Sequence, residues 1–138
     1  MEVPVGHAEF ALNLEDATNT RDVDRVVACF AEDYVNQTPA HPARGFTGTD
    51  QVRSNWTRIL AAVPDHTAAL VASAQDGETV WAEWEMSGTR VNGTRHCLRG
   101  VIVFTVRGVL ASAARFYLEP ADDEDGDAEA AVRQIVTR

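Results

Sequence analysis

The spacing of apolar residues changes along the chain, from a helical repeat in the first half to a strand repeat in the second. Between about residues 6 and 17, the apolar residues Phe10, Leu14 and Ala17 recur at helical spacing. The polar residues at 19–22 then supply an N-cap for a second amphipathic helix. The stripe of this second helix is predicted to consist of Val23, Val26, Val27, Phe30 and Tyr34.

A short strand, a proline-rich loop and a third helix are predicted next. The strand spans about residues 34–38, and the loop covers residues 39–45. The third helix begins after the N-cap residues at 47–50 and is stopped by Pro64, because proline cannot continue a helix. Its apolar stripe consists of Val52, Trp56, Ile59, Leu60 and Val63.

Beyond Pro64 the apolar residues alternate, and this pattern predicts four strands. The strands cover roughly residues 67–75, 78–90, 95–106 and 109–119. Two of the connections contain Asp-Gly and Asn-Gly pairs, which favour tight hairpin turns. The order of elements predicts an α+β fold, in which three helices from the N-terminal half pack on the concave face of a curved antiparallel sheet.

Each predicted strand presents one apolar row of side chains and one mixed row, because side chains alternate across a strand. We place the apolar rows under the helices, since the helical stripes need an apolar partner. The apolar rows then either line a cavity or fill a solid core, and the sequence is compatible with both possibilities. The predicted cavity lining is Gln37, Phe46, Trp56, Trp84, Met86, Leu98, Ile102 and Phe116.

The mixed rows are predicted to form the outer face of the sheet. Glu83 or Glu85 on one strand would stand beside Arg99 on the next and Arg115 on the third, as in an exposed ladder of ion pairs. Trp81 and Tyr117 add large aromatic side chains to this face, which solvent exposure alone does not explain. We therefore expect a homodimer that associates through the outer sheet face.

A bulge in the last strand would change this assignment. Residues 111–114 alternate least clearly, and one inserted residue moves every later side chain to the opposite face. Beyond such a bulge, Arg115, Tyr117 and Glu119 would enter the cavity. An acid–base enzyme would then become the better interpretation.

Charge and composition narrow the range of partners. The formal net charge is -9, from 12 basic and 21 acidic residues without a basic run, which argues against nucleic acid as a partner. No apolar run is long enough to cross a membrane and no secretory signal is visible, so we expect a cytoplasmic protein. Residues 121–138 are predicted to be an acidic tail, in which a short helix is suggested by Ala128, Ala131, Val132 and Ile135.

The sequence contains no pattern that indicates a metal or a cofactor. Its 4 histidines are scattered without metal-ligand spacing, and Cys29 and Cys97 are too far apart in sequence for a CxxC pair. Neither a Gly-rich phosphate loop nor a Gly-x-Ser-x-Gly elbow occurs. We therefore expect neither a metal nor a cofactor.

A family resemblance rests on three segments, which are residues 44–48, 81–84 and 115–120. Together with the order of elements, they make residues 6–120 similar to the SnoaL-like branch of the nuclear transport factor 2-like superfamily. The resemblance implies a cone-shaped, cystatin-like fold and a single domain over residues 1–120. It is less informative about activity, because the superfamily includes polyketide cyclases, ketosteroid isomerase and members that only bind.

Two functions are compatible with the sequence. The first is a cavity protein that binds an apolar small molecule, which Gln37, with Asn36 or Tyr34, would orient. The second is an isomerase or cyclase that acts by acid–base chemistry on a polyketide-like or steroid-like substrate. The catalytic candidates for this second function are His41, Glu119 and Tyr117.

Overall fold

The structure is a computed structural model, and it describes residues 7–137. The helices of this part of the chain are α1 (Glu9–Asn19), α2 (Val23–Val27), α3 (Thr49–Ala62) and α4 (Ala128–Val136). The strands are β1 (Phe30–Gln37), β2 (Phe46–Thr47), β3 (Thr67–Asp76), β4 (Thr79–Thr89), β5 (Arg95–Arg107) and β6 (Leu110–Pro120). A short 3-10 helix between β1 and β2 covers Pro42–Arg44.

The strands form one curved, unclosed sheet in the order β2-β1-β6-β5-β4-β3. Consecutive strands from β3 to β6 pair in antiparallel hairpins. Strand β1 lies beside β6 and runs parallel to it. The predicted α+β fold with a curved sheet is confirmed, and the four long strands begin and end within about one residue of their predicted bounds.

The predicted extent of the second helix was wrong. Helix α2 ends at Val27, and both Phe30 and Tyr34 belong to β1. The two residues are four positions apart, a spacing that puts side chains on one face of a helix and also on one face of a strand. Their spacing therefore fitted both kinds of element, and the chain forms the strand because it pairs with β6.

One end of the sheet is tightly packed beneath α1. Val80, Ala82 and Phe104 have no exposed surface, and they face α1 across the core. The ring of Phe10 on α1 meets Phe104 edge to face, with ring centroids 5.0 Å apart. We call this region, defined by Phe10, Val80, Ala82, Phe104 and Ala111, the packed end, and all five residues belong to the hydrophobic core.

The two faces of the sheet follow the row assignment made from the sequence. On β4 the apolar row of Val80, Ala82, Trp84 and Met86 is buried. On the opposite face the Arg99 guanidinium donates to Glu85 at 3.2 Å, and Tyr117 is 46% exposed. The charged rows therefore lie outside.

A bulge is present in β6, but it does not turn the charged row inward. Thr105 pairs with Ala113 and Val106 pairs with Ala111, which leaves Ser112 as the extra residue. In a regular strand, residues on one face are two positions apart. Because of the bulge, the buried residues Ala111 and Ala114 lie on one face although they are three positions apart. Beyond it the inner row continues, and the outer row of Arg115, Tyr117 and Glu119 stays exposed.

Gly100 marks the place where β5 makes an unusually close approach to β6. Its φ is +150°, and a Cβ atom there would lie 2.0 Å from the Tyr117 carbonyl oxygen. Residues other than glycine rarely adopt this conformation, and the contact would involve a backbone atom that cannot rotate away. The position therefore requires glycine.

Helix α4 lies after the sheet, in the acidic segment. Asp127 caps it, because its carboxylate accepts a hydrogen bond from the backbone N–H of Ala130 at 3.0 Å. The apolar residues Val132 and Ile135 on this helix are exposed. None of the helices within residues 7–137 combines the length and apolar character that a membrane crossing requires.

Candidate ligand-binding cavity

The sheet and α3 enclose a cavity of about 340 Å³ at the end of the sheet that holds Leu98 and Phe116, and Phe104 of the packed end forms part of its wall. Strands β4, β5 and β6 contribute parts of their inner rows, and Leu14 and Thr18 of α1 border the same space. Strand β1, the 3-10 helix and the middle of α3 contribute further parts of the wall. Six of the eight residues predicted for the lining are brought together here, namely Phe46, Trp56, Met86, Leu98, Ile102 and Phe116.

The other two predicted lining residues lie elsewhere. Trp84 is 1% exposed and packs in the core, where it pairs across the sheet with Gly100. Gln37 is exposed on the far side of β1. Asn36, one position earlier, faces the cavity instead, because β1 alternates so that Tyr34 and Asn36 share the inner face.

Tyr34 and Asn36 form a buried polar pair in the cavity wall. The Tyr34 hydroxyl donates to Asn36 Oδ1 at 2.7 Å, and the exposed fractions of the two residues are 1% and 7%. Burial raises the pKa of Tyr34 well above its usual value, so the phenol stays neutral. The hydrogen bond orients the carboxamide of a residue that lines the cavity.

Two histidines that the sequence did not single out also line the cavity. His66 lies between α3 and β3 and is 1% exposed, and His96 stands near the start of β5. Their ring centroids are 6.0 Å apart. His96 continues the inner row of Leu98 and Ile102 by one step, so strand alternation could have identified it, whereas no periodic signal marks His66.

Both imidazoles are held neutral by their surroundings. Burial, together with the nearby His96 and Arg21, lowers the pKa of His66 to about 4, and the carboxylate of Asp65 opposes this shift. Burial also lowers the pKa of His96, with a smaller contribution from Arg90. Within residues 7–137 no group of three or more His, Cys, Asp or Glu side chains is placed to hold a metal ion.

The residues predicted as catalytic candidates lie outside the cavity. His41 Nε2 and Glu119 Oε1 are 3.0 Å apart, and the side chains are 42% and 47% exposed. Arg44 and Leu118, their neighbours in the chain, do line the cavity, so the pair stands beside its rim. Tyr117 points to the outer face of the sheet.

A comparison with models of known protein families identifies the family of this chain. Residues 12–112 match the model of the SnoaL-like domain. The chain belongs to the SnoaL-like family. A comparison with curated proteins finds no significant match.

Solved structures similar to this SnoaL-like chain share its fold at low sequence identity. A protein with a ketosteroid isomerase-like fold from Catenulispora acidiphila, in complex with trimethylamine, is 17% identical with a TM-score of 0.69, covering 79% of this chain and 85% of its own. A protein provisionally described as a SnoaL-like polyketide cyclase from Shewanella denitrificans is 12% identical, with a TM-score of 0.66 and coverages of 94% and 96%. TerC, co-crystallised with polyporic acid, is 15% identical, with a TM-score of 0.64 and coverages of 94% and 97%.

Proposed function

We propose that this SnoaL-like chain binds one small, largely apolar molecule in the cavity beneath α3. The observation that carries the proposal is an open space of about 340 Å³ with a mainly apolar wall. Sites for small molecules have volumes of roughly 300–1,000 Å³ and similar walls. Because Phe46, Trp56 and Phe116 contribute aromatic rings, a flat ring system suits the space. The complex of TerC with polyporic acid also supports a small-molecule ligand.

The polar pair in the wall would orient this ligand. Asn36 takes the role that the sequence suggested for Gln37, and Tyr34 fixes the direction of its carboxamide. A few convergent polar groups in an apolar pocket commonly give orientation and specificity rather than most of the affinity.

Tryptophan emission tests the proposal, with naphthalene as the probe. Trp56 lines the cavity and Trp81 lies on the outer face, so the two residues form a matched pair. The emission should change saturably with one site per chain. Trp56→Phe should remove most of the change, and Trp81→Phe should retain it. A change that does not saturate, or one that survives Trp56→Phe and is lost with Trp81→Phe, would contradict binding in the cavity.

A second candidate function, acid–base catalysis by an isomerase or cyclase, is favoured by the pair of His41 and Glu119. A carboxylate that holds a histidine ring at 3.0 Å is the arrangement that orients a general base. The pair stands next to the cavity rim rather than within it. A substrate would therefore need to extend a reacting carbon to the rim.

Turnover of 5-androstene-3,17-dione, whose double bond shifts when a proton is moved, tests this second function. If the pair is catalytic, His41→Ala and Glu119→Gln should each lower the rate about 100-fold or more, while the folded state remains unchanged. Tyr117→Phe, on the outer face, serves as the matched control. Equal rates in all variants would exclude the pair from catalysis of this reaction.

We further propose that the chain is a cytoplasmic homodimer that associates through the outer sheet face. Trp81 and Tyr117 support this, since they are 41% and 46% exposed beside the apolar residues Val101 and Val103. Sedimentation of the wild type and of Trp81→Glu tests the dimer. A monomeric wild type would contradict it.

A further inference from the structure

We propose that His66 and His96 form a hydroxyl-binding site in the cavity wall, which recognises a phenolic or enolic hydroxyl group on the otherwise apolar ligand. The inference rests on the proposed function of the cavity, and it adds the chemistry of the polar group that the ligand carries. It involves neither the Tyr34–Asn36 pair nor the exposed pair of His41 and Glu119.

Unsatisfied nitrogen atoms on both rings are the first observation. Within residues 7–137, three buried side-chain nitrogens have no hydrogen-bond partner, namely His66 Nδ1, His96 Nε2 and Trp84 Nε1, and of these three residues the two histidines line the cavity. A buried polar group without a partner costs about 1–3 kcal/mol, so folded proteins rarely retain one without a reason. Two such nitrogens beside the same cavity indicate that a group entering the cavity completes their hydrogen bonds.

The identity of that group follows from the state of the rings. A neutral imidazole carries one N–H donor and one acceptor nitrogen. The ring centroids lie 6.0 Å apart, and two hydrogen bonds of about 2.8 Å to one oxygen atom span a similar distance. A hydroxyl can donate to one ring and accept from the other, whereas a carboxylate can only accept and an ammonium can only donate.

The surroundings of the rings favour recognition over proton transfer. The edge of Trp56 meets His66 with ring centroids 5.2 Å apart, and Met86 and Leu98 lie on the adjoining strands. In such an apolar setting a hydrogen bond is protected from competing water. Because the pKa of His66 is lowered to about 4, the ring is a weak base near neutral pH and suits a hydrogen-bonding role.

Binding of a matched pair of probes, naphthalene and 2-naphthol, tests the inference. Dissociation constants from NMR titration would be compared in wild type, His66→Phe, His96→Phe and His7→Phe. Phenylalanine keeps a planar ring and removes the nitrogens, and His7 provides the control because it lies outside the lining. Since 2-naphthol is better hydrated than naphthalene, the informative quantity is the change in the ratio of the two constants between variants.

We expect His66→Phe and His96→Phe each to weaken 2-naphthol binding about fivefold while naphthalene binding changes less than twofold. His7→Phe should change neither. A ratio that stays constant in both cavity variants would overturn the hydroxyl site and leave the cavity function intact. If neither probe binds the wild type saturably, the cavity function fails and this inference fails with it.

Labelling the 4 histidines with ¹⁵N keeps the inference testable if a cavity variant does not fold. Addition of 2-naphthol to the wild type should shift the ring nitrogen signals of two histidines, and naphthalene should shift them much less. Equal responses to the two probes, or no response to 2-naphthol at saturation, would overturn the hydroxyl site.

Discussion

The packed end and the cavity end of the sheet are built from the same strands, yet they differ in what covers them. At the packed end α1 sits directly on the inner row, and Val80 and Phe104 are fully buried. At the cavity end α3 covers Leu98 and Phe116 less closely, and both remain partly exposed. The strand pattern is the same along the sheet, so the placement of the helix decides whether a row becomes core or cavity wall.

Polar groups sharpen the contrast between the two ends. The five residues that define the packed end are all apolar. The cavity end holds the hydrogen-bonded pair Tyr34 and Asn36 and the two imidazoles of His66 and His96. Buried polar groups reduce stability unless they are satisfied, and they confer specificity when a ligand meets them. The chain therefore concentrates its stability at one end and its chemistry at the other.

The largest expected effect compares one phenylalanine at each end. Phe104→Ala should lower the free energy of unfolding by about 3–5 kcal/mol, because the ring is fully buried and packs edge to face on Phe10, although it also borders the cavity. Phe116→Ala should lower it by about 1–2 kcal/mol, since this side chain is partly exposed and already borders empty space. Urea denaturation measures both. Equal losses would show that the two ends are packed alike.

The accuracy of the sequence prediction differs between these regions for physical reasons. The hairpin strands could be placed because Asp76-Gly77 and Asn92-Gly93 fix the turns, and strict alternation fixes the faces. The border between α2 and β1 could not, because the spacing of Phe30 and Tyr34 suits either element. Local spacing carries no information about which strand a segment will pair with.

The cavity was predicted in part for a related reason. Apolar lining residues such as Met86 and Ile102 follow from strand alternation. His66 does not, since it lies in the connection after α3, and only the folded chain brings it to within 6.0 Å of the His96 ring. A contact between a loop residue and a distant strand depends on the tertiary fold. The periodicity of the sequence gives no information about such a contact.

The second prediction concerns acid stability and the cavity end. The pKa of His66 is 6.5 in a model peptide and about 4 here, so the unfolded chain binds a proton more readily between these values. Above about pH 6.5 the neutral, buried His66 does not reduce the free energy of unfolding. As the pH falls to 4, the free energy of unfolding should decrease by roughly 3 kcal/mol. Urea denaturation at several pH values measures this loss.

His66→Phe provides the control, because it removes the titrating group and keeps a planar ring. Its stability should depend less on pH between 4 and 6.5 than that of the wild type. The lowered pKa values of Asp33 and Asp65 affect stability mainly below about pH 5, in wild type and variant alike. The lowered pKa of His96 acts in the same direction. Identical slopes in wild type and variant would contradict the buried, neutral state of His66.

The smallest expected effect tests the other polar group of the cavity end. Tyr34→Phe removes the hydroxyl that donates to Asn36 Oδ1 at 2.7 Å and leaves that buried oxygen without its partner. Stability should fall by about 1 kcal/mol. Tyr117→Phe is the matched control, since its hydroxyl lies on the exposed outer face and its loss should have little effect on the chain. Thermal and urea denaturation of both variants measure the difference. If Tyr34→Phe is as stable as Tyr117→Phe, the carboxamide finds another donor, and the pair does not fix its orientation.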